Sequence, residues 1–426
     1  MLGGAPVPPS TGAGSSLPTI NDGLSIAIGT ASVLNLDTAG ATTVNGTLLG
    51  FDLPTVSGLT VSYGSFNADG NNTDKTNLGV AYATSTSDTD ISISANSGKF
   101  KKPDFLLDNN TFSTIYGRNL LHELNIIIPQ DTLIVTMRDL WDRFEKFFTK
   151  NVQVHFVKNL NIETLEKDYE KFKKFNAVVG IGGGQAVDAA KFFSWKSNAK
   201  LFQVPTSMSV NAAFGHRFAA RIDGNINYIG WTTPEAVYVD FDIIKNAPKL
   251  FNRSGICEIM CYHTAHLDWK YADKVGKCEK KWAYDQQAVD EAKSVLDYML
   301  EGIDDIKEVN DNGIIRLMNA NSWGGPAFHN FGWNPRPIEG TDHFVFYSLE
   351  YHTKKSYIHG QPVNMGVYVG SLLHNSKAEE MLDYIIRAGV DIRPESMGIT
   401  WEDMANALIK MKEYINRIGL WHSIAH

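Results

Sequence analysis

The run Gly180-Ile181-Gly182-Gly183-Gly184-Gln185-Ala186-Val187-Asp188-Ala189-Ala190-Lys191 decides how the rest of the chain is read. It continues the short, uncharged, β-branched stretch Ala177-Val178-Val179 and leads into a helix-forming segment, Ala186 to Trp195, so the expected unit is strand, tight turn, helix. Consecutive glycines let backbone N–H groups approach an anion with no Cβ in the way. A helix N-terminus adds unpaired donors and a favourable dipole. Three adjacent glycines exceed what a bare turn needs, and a pyrophosphate suits such a cradle. The spacing is neither the Gly-x-Gly-x-x-Gly fingerprint nor a Walker loop, since no Gly-Lys-Ser/Thr follows.

The same alternation extends to both sides. Thr132-Leu-Ile-Val-Thr-Met, Val152-Gln-Val-His-Phe-Val and Leu201-Phe-Gln-Val read as strands, with helices expected over Leu140 to Lys150 and Ile162 to Phe175. Strands alternating with amphipathic helices imply a parallel sheet covered on both faces. Beyond Asp240 the strand signals fade and helical periodicity dominates, as in Val289 to Leu300, Ala378 to Ala388 and Trp401 to Ile418. The expected fold class is a Rossmann-like α/β domain over residues 98–250 followed by an all-α domain over 251–426.

Residues 1–97 are different in kind. They hold a single basic residue, Lys75, against seven aspartates, and no Arg, His, Glu, Cys or Trp. A Pro/Gly-rich leader over the first 18 residues lacks the basic start and apolar run of a secretory signal. Short alternating stretches such as Leu24-Ser-Ile-Ala-Ile-Gly, Gly58-Leu-Thr-Val-Ser-Tyr and Asp90-Ile-Ser-Ile-Ser follow, bounded by turn formers, so a small β-rich module is expected to precede the body. The whole chain, 426 residues with 43% hydrophobic and 20% charged, has an ordinary folding composition. A net charge of -8 disfavours nucleic acid as a partner. No stretch is long enough to span a bilayer. Three cysteines, Cys257, Cys261 and Cys278, do not make a disulfide framework, and a reducing, cytoplasmic setting is expected.

Three residues of the helical half form the second constellation: Glu258, His343 and His359. A carboxylate and two imidazoles suit a divalent ion such as Zn²⁺ or Fe²⁺ with one position left for substrate. Glu258 lies in the apolar run Ser254-Gly-Ile-Cys-Glu-Ile-Met-Cys-Tyr, where a lone carboxylate is costly unless paired or metal-bound. The bland alternative is a helix-face Glu pointing to water.

Several motifs in order carry a family resemblance. Gly182-Gly-Gly-Gln-Ala-Val-Asp188-Ala-Ala-Lys191, then Val204-Pro-Thr206-Ser-Met-Ser209-Val-Asn211, then Asp268-Trp-Lys, then Arg336-Pro-Ile-Glu-Gly-Thr-Asp342-His343 and His359-Gly-Gln-Pro-Val resemble the iron-containing alcohol dehydrogenase and dehydroquinate synthase superfamily. The likeness covers about residues 110 to 420 and is greatest to the sn-glycerol-1-phosphate dehydrogenases. It implies a nicotinamide nucleotide, NAD or NADP, whose pyrophosphate rests on Gly182, Gly183 and Gly184 with Asp188 nearby, and with Thr206 and Ser209 along the cofactor. It also implies a zinc or iron ion held by Glu258, His343 and His359, with a small polyol or polyol phosphate as substrate and a homo-oligomeric state. Met137-Arg138-Asp139 offers both a ribose-binding acid and a phosphate-binding base, leaving NAD and NADP open.

The chain also departs from the pattern. Glu258 stands where the phosphate-polyol enzymes usually carry Asp, Asn211 where they carry an acid at the substrate, and Tyr347 where a His is common. Asn cannot act as a base near neutral pH. A dehydroquinate-synthase-like cyclase reading aligns Arg217 with a substrate-binding Lys, but puts Cys261 where that family has a helix lysine. Asn211 and Arg217 are therefore the residues expected against the substrate. An alternative of another class is a structural or virion-associated assembly protein, in which residues 1–97 attach an enzyme-like body to a larger assembly. Cys257 and Cys261 with His263 and His266 could be drawn as a zinc site, although helical spacing turns the histidines away from the thiols and favours buried small side chains. His216 beside Arg217 reads either as a phosphate contact or as a surface pair, and Trp323 to Trp333 either as a pocket wall or as a packed loop.

Overall fold

The computed structural model describes the backbone of the strands between residues 25 and 93, and residues 113–426 apart from 150, 173 and 331–333; side chains are described from Ser113 onward except 325–330. The expected leader lies outside these residues. Strands β1 (Ser25–Leu34), β2 (Thr43–Asp52), β3 (Leu59–Ala68), β4 (Asp74–Ala83) and β5 (Asp90–Ile93) form an antiparallel meander in which each pairs with the next.

The body is built on six parallel strands: β6 (Ser113–Gly117), β7 (Thr132–Thr136), β8 (Gln153–Phe156), β9 (Ala177–Gly182), β10 (Lys200–Pro205) and, after a hairpin of β11 (Phe218–Ile222) and β12 (Asn225–Ile229), β13 (Pro234–Asp240). Their order is β6-β13-β10-β9-β7-β8. Two of the six, β6 and β13, and the hairpin are additions to the sequence expectation. The hairpin turns at Asp223 and Gly224, both with positive φ (49° and 75°), the backbone of a tight two-residue reversal.

Alternation along the central strands explains the layering. Ile134, Val179, Ile181, Phe202 and Val204 pack on one face, with Leu120, Leu121 and Leu124 of α1 (Leu120–Ile127). Leu133, Val135, Val178 and Leu201 pack on the other, against Leu165 of α3 (Ile162–Tyr169) and Ala189, Ala190, Phe192 and Phe193 of α4 (Gly184–Ser197). Each such fully buried aliphatic stabilises the fold by about 1.5–3 kcal/mol. Helix α2 (Arg138–Phe144) is shorter than the periodicity of Leu140 to Lys150 suggests, because its last turn tightens into a 3₁₀ turn at Glu145–Phe147.

From Phe241 onward the chain is helical: α5 (Phe241–Asn246), α6 (Lys249–Ser254), α7 (Cys257–Lys274), α8 (Gln286–Glu301), α9 (Ile303–Glu308), α10 (Asp311–Asn330), α11 (Thr341–Thr353), α12 (Gly360–Leu373), α13 (Ala378–Arg387), α14 (Trp401–Ile409) and α15 (Met411–Ile418). The run expected as one helix from Trp401 to Ile418 is two, parted at Lys410. One large core built on α7, α10, α11 and α12 includes Met260, Tyr262, Trp323, Phe344 and Val363, all at most 1% exposed. Trp323 is thus a core residue of α10, and the remainder of the expected Trp323 to Trp333 wall lies outside the described side chains. Among the described residues no helix is long and apolar enough to cross a membrane.

Candidate functional site

The chain runs from β7 out to β8 and returns through β9 on the other side of β7, so the strand order reverses between β7 and β9. A crevice opens at the carboxyl ends of strands at such a switch point. Thr136 Oγ donates to the Ile181 carbonyl at 2.8 Å and ties the two strand ends together there. Gly182 ends β9 with φ of 154°, and a Cβ at this position would stand 2.6 Å from Ala186 Cβ. Gly183 is different: a Cβ there would meet only Ser207 Oγ, at 4.0 Å, so its missing side chain leaves space beside the turn. No side chain caps α4, so the N–H groups of Gly184 and Gln185 in its first turn have no capping partner. These features fit the pyrophosphate of a dinucleotide.

The remaining residues expected along the cofactor divide. Thr206 donates its backbone N–H to the Gly182 carbonyl at 3.0 Å, and Ser209 Oγ lies 3.0 Å from Ser207 Oγ. Asp188 is engaged structurally: it pairs with buried Lys191 at 2.6 Å and accepts from Ala219 N at 3.2 Å. The Lys191 ammonium in turn donates to the carbonyls of Ala212 and Arg217. A buried, hydrogen-bonded ion pair thereby fixes the Asn211–Arg217 loop and the start of β11 against α4. Arg138 stacks on Phe156, 3.6 Å from its ring centroid, at the edge of the same crevice.

Glu258 lies in the first turn of α7, His343 in the first turn of α11, and His359 just before α12. Gly360 rests so close to the end of α6 that a Cβ would stand 2.1 Å from the Ser254 carbonyl, and this close approach carries His359 onto α7. His359 Nε2 is 3.1 Å from Glu258 Oε1, and the His343 and His359 rings are 5.3 Å apart. His343 Nδ1 bonds Asp342 Oδ1 at 2.6 Å, which leaves Nε2 as its ligand atom. Asp342 is itself held by Thr264 Oγ at 2.6 Å, so the imidazole is oriented by a carboxylate, the usual support of a metal-bound histidine.

Two ligand groups emerge within this cluster. Cys257, Glu258 and His359 bring one ligand atom each within 4.8 Å of one another, as do Cys261, Asp342 and His343. Two ligands about 2.1 Å from a tetrahedral ion stand about 3.4 Å apart, close to the Glu258–His359 spacing. Glu258 and His359 therefore fit a divalent ion, whereas His343, the third residue expected as a ligand, groups with Cys261 and Asp342, its ring 5.3 Å from that of His359. His263 and His266 take no part, since they face the carbonyls of Ser376 and Tyr262 at 3.1 and 2.8 Å.

Both constellations line one cleft of about 500 Å³, which Gly184, Ser209, Asn211, Arg217, Glu258, His343 and His359 share. Its electrostatics are strongly coupled. Burial opposes the Glu258 charge, but the His359 hydrogen bond and the nearby imidazoles hold its carboxyl below the ordinary value. Burial disfavours charge on His343, yet the carboxylates of Glu339, Asp342 and Glu258 push it up to about 9. Burial lifts Glu339 to about 7 against the pull of His343. His216 is buried, not a surface residue, and lies 5.2 Å from the Trp231 ring.

Sequence reasoning passed over three participants. Tyr347 donates its hydroxyl to Glu339 at 3.2 Å and is hydrogen-bonded to Tyr228 of the hairpin. Arg221 faces Glu350 across the cleft at 3.7 Å. Glu339 lay within the quoted Arg336 motif, whereas Tyr228 and Arg221 depend on a hairpin that no local pattern had placed over the crevice.

Residues 115–248 match the family model of iron-containing alcohol dehydrogenase. The chain is 29% identical over 272 residues to a glycerol-1-phosphate dehydrogenase [NAD(P)+] from Thermofilum pendens, covering 63% of this chain and 76% of that one. A protein of the same name from Pyrococcus horikoshii is 25% identical over 313 residues, 69% and 87% of the respective chains. Among solved structures, a probable glycerol dehydrogenase from Sinorhizobium meliloti superposes with a TM-score of 0.58 at 17% identity, covering 71% of this chain and 88% of that one. A sulfoacetaldehyde reductase from Bifidobacterium kashiwanohense in complex with NAD+ gives 0.52 at 14% identity, over 71% and 91%. The chain is thus similar in sequence to the glycerol-1-phosphate dehydrogenases, and its body shares the fold of these solved dehydrogenases and reductases.

Proposed function

We propose that this protein is a divalent-metal-dependent NAD(P) dehydrogenase that oxidises a secondary hydroxyl of a small polyol phosphate. The observation that carries the reading is the sharing of one cleft by Gly184, at the end of the glycine turn, and the Glu258, His343 and His359 side chains. On this reading Gly183 and Gly184 seat the pyrophosphate, Thr206 and Ser209 run along the nucleotide, and Glu258, His343 and His359 hold zinc or iron. When bound, the ion polarises the reacting C–O group and the nicotinamide ring exchanges the hydride with its carbon.

The chain's own residues do the rest. Asn211 presents an amide to the substrate hydroxyls, as donor and acceptor but not as base. Arg217 and Arg221, both on the cleft wall, supply the positive charge that a phosphate group requires. The proton released from the reacting hydroxyl needs a path that Asn211 does not offer. Tyr228, Tyr347 and Glu339 form a continuous hydrogen-bonded series on the cleft wall, and Glu339 is the carboxylate at its end. Tyr347, standing where the family commonly has His, keeps a hydroxyl in that position. Full-length protein loaded with Zn²⁺ is expected to reduce NAD⁺ or NADP⁺ with glycerol 1-phosphate, and Glu339→Gln to slow turnover while leaving metal content intact. Loaded protein that binds neither NADH nor NADPH, read by quenching of their fluorescence, contradicts the proposal.

A further inference from the structure

On the reading that this cleft holds a divalent ion, we propose that the sulfur of Cys257 is a further ligand of that ion, making the centre a soft one that selects zinc or cobalt over magnesium or manganese. Cys257 is the first residue of α7 and is fully buried, with no disulfide partner. The Cys257 sulfur falls within 4.8 Å of both the Glu258 and His359 ligand atoms.

The other thiols are occupied differently. Cys261 donates to the Ile338 carbonyl and Cys278 to the Trp282 carbonyl, each at 3.0 Å. Cys261 does lie beside Asp342 and His343, but the Asp342 oxygens are taken up by Thr264, by His343 Nδ1 and by backbone N–H groups. That group orients a ligand, whereas in the other Glu258 and His359 face each other at 3.1 Å with the Cys257 sulfur within 4.8 Å of both. Ligation exchanges the thiol proton for the ion and releases one proton to solvent. Adding Cys257 to Glu258, His343 and His359 leaves a substrate oxygen as fifth ligand, a coordination number that zinc reaches in catalysis. A thiolate favours soft metals, whereas Mg²⁺ and Mn²⁺ prefer oxygen donors.

The test uses the full chain, stripped with a chelator and titrated with Co²⁺, followed by equilibrium dialysis and near-ultraviolet absorption. Bound cobalt with a thiolate-to-metal charge-transfer band is expected, the band lost in Cys257→Ser and kept in Cys261→Ser. Should Cys257→Ser lose the fold by circular dichroism, the double variant Cys261→Ser/Cys278→Ser leaves Cys257 as the sole cysteine and must keep the band. Cobalt bound without the band, or a band that survives Cys257→Ser, overturns the ligand assignment while leaving the metal centre standing. No cobalt bound at all overturns the metal centre with it.

Discussion

Asp342 touches neither substrate nor cofactor in this account, yet it fixes the ring of His343 through a 2.6 Å hydrogen bond and is fully buried. Carboxylates that orient a metal-binding imidazole typically change metal affinity about 10–100-fold when altered. Asp342→Asn is therefore expected to bind zinc more weakly by about that factor, measured by competition with a chromophoric chelator. An unchanged affinity contradicts the orienting role. At this scale the sequence was informative for ligand types and silent on their support. Glu258 was conspicuous as a carboxylate in an apolar run, while His343 and His359 were reached through the motifs that carry the family resemblance. The Thr264–Asp342–His343 chain was not legible, since Thr264 and Asp342 meet only when α7 packs on α11.

The strand-turn-helix unit around Gly182 makes a sharper prediction because its glycines differ. Gly182 has a backbone conformation that L side chains rarely adopt and no room for a Cβ, so substitution there harms the fold. Gly183 has φ of -77°, available to any residue, and open space beside it. Gly183→Val is expected to keep the wild-type melting temperature and to weaken NADH binding at least about tenfold, equivalent to roughly 1.4 kcal/mol. Equal NADH affinity in the variant removes the nucleotide from this turn. Elements with strong local signals, β7, β9, β10 and α4, were readable from periodicity alone. The β11–β12 hairpin was passed over although Asp223-Gly224 between Phe218-Ala-Ala-Arg-Ile and Asn225-Ile-Asn-Tyr-Ile is a two-residue hairpin signal; what no local pattern carries is its place over the crevice.

For the molecule as a whole, the switch between an α/β layer and a helical layer was legible from the fading of strand signals after Asp240. The meeting of the layers was not, since the packing of α6 on α12 and of the hairpin over the crevice depends on long-range contacts. Two buried histidines, one from each layer, make stability pH-dependent. Burial lowers His216 to about 4, with Lys191 adding to the effect, and burial likewise lowers His266 to about 4, partly offset by its bond to the Tyr262 carbonyl. Both are neutral in the native state at pH values where the unfolded chain, near 6.5, takes up protons. Their contribution is fully present above about pH 6.5 and is lost as pH falls toward 4. Urea midpoints are expected to drop across that window, and His266→Gln to drop less steeply. A variant with the wild-type slope contradicts the assignment.

The central claim joins one cation to one dinucleotide in one cleft. It is tested most directly by diffraction from crystals grown with Zn²⁺ and NAD⁺, recorded at the zinc absorption edge. The expected result is an anomalous peak within bonding distance of Glu258 and His359, with nucleotide density over Gly182–Gly184 in the same cleft. Zinc seated elsewhere, or a nucleotide bound away from that turn, contradicts the account.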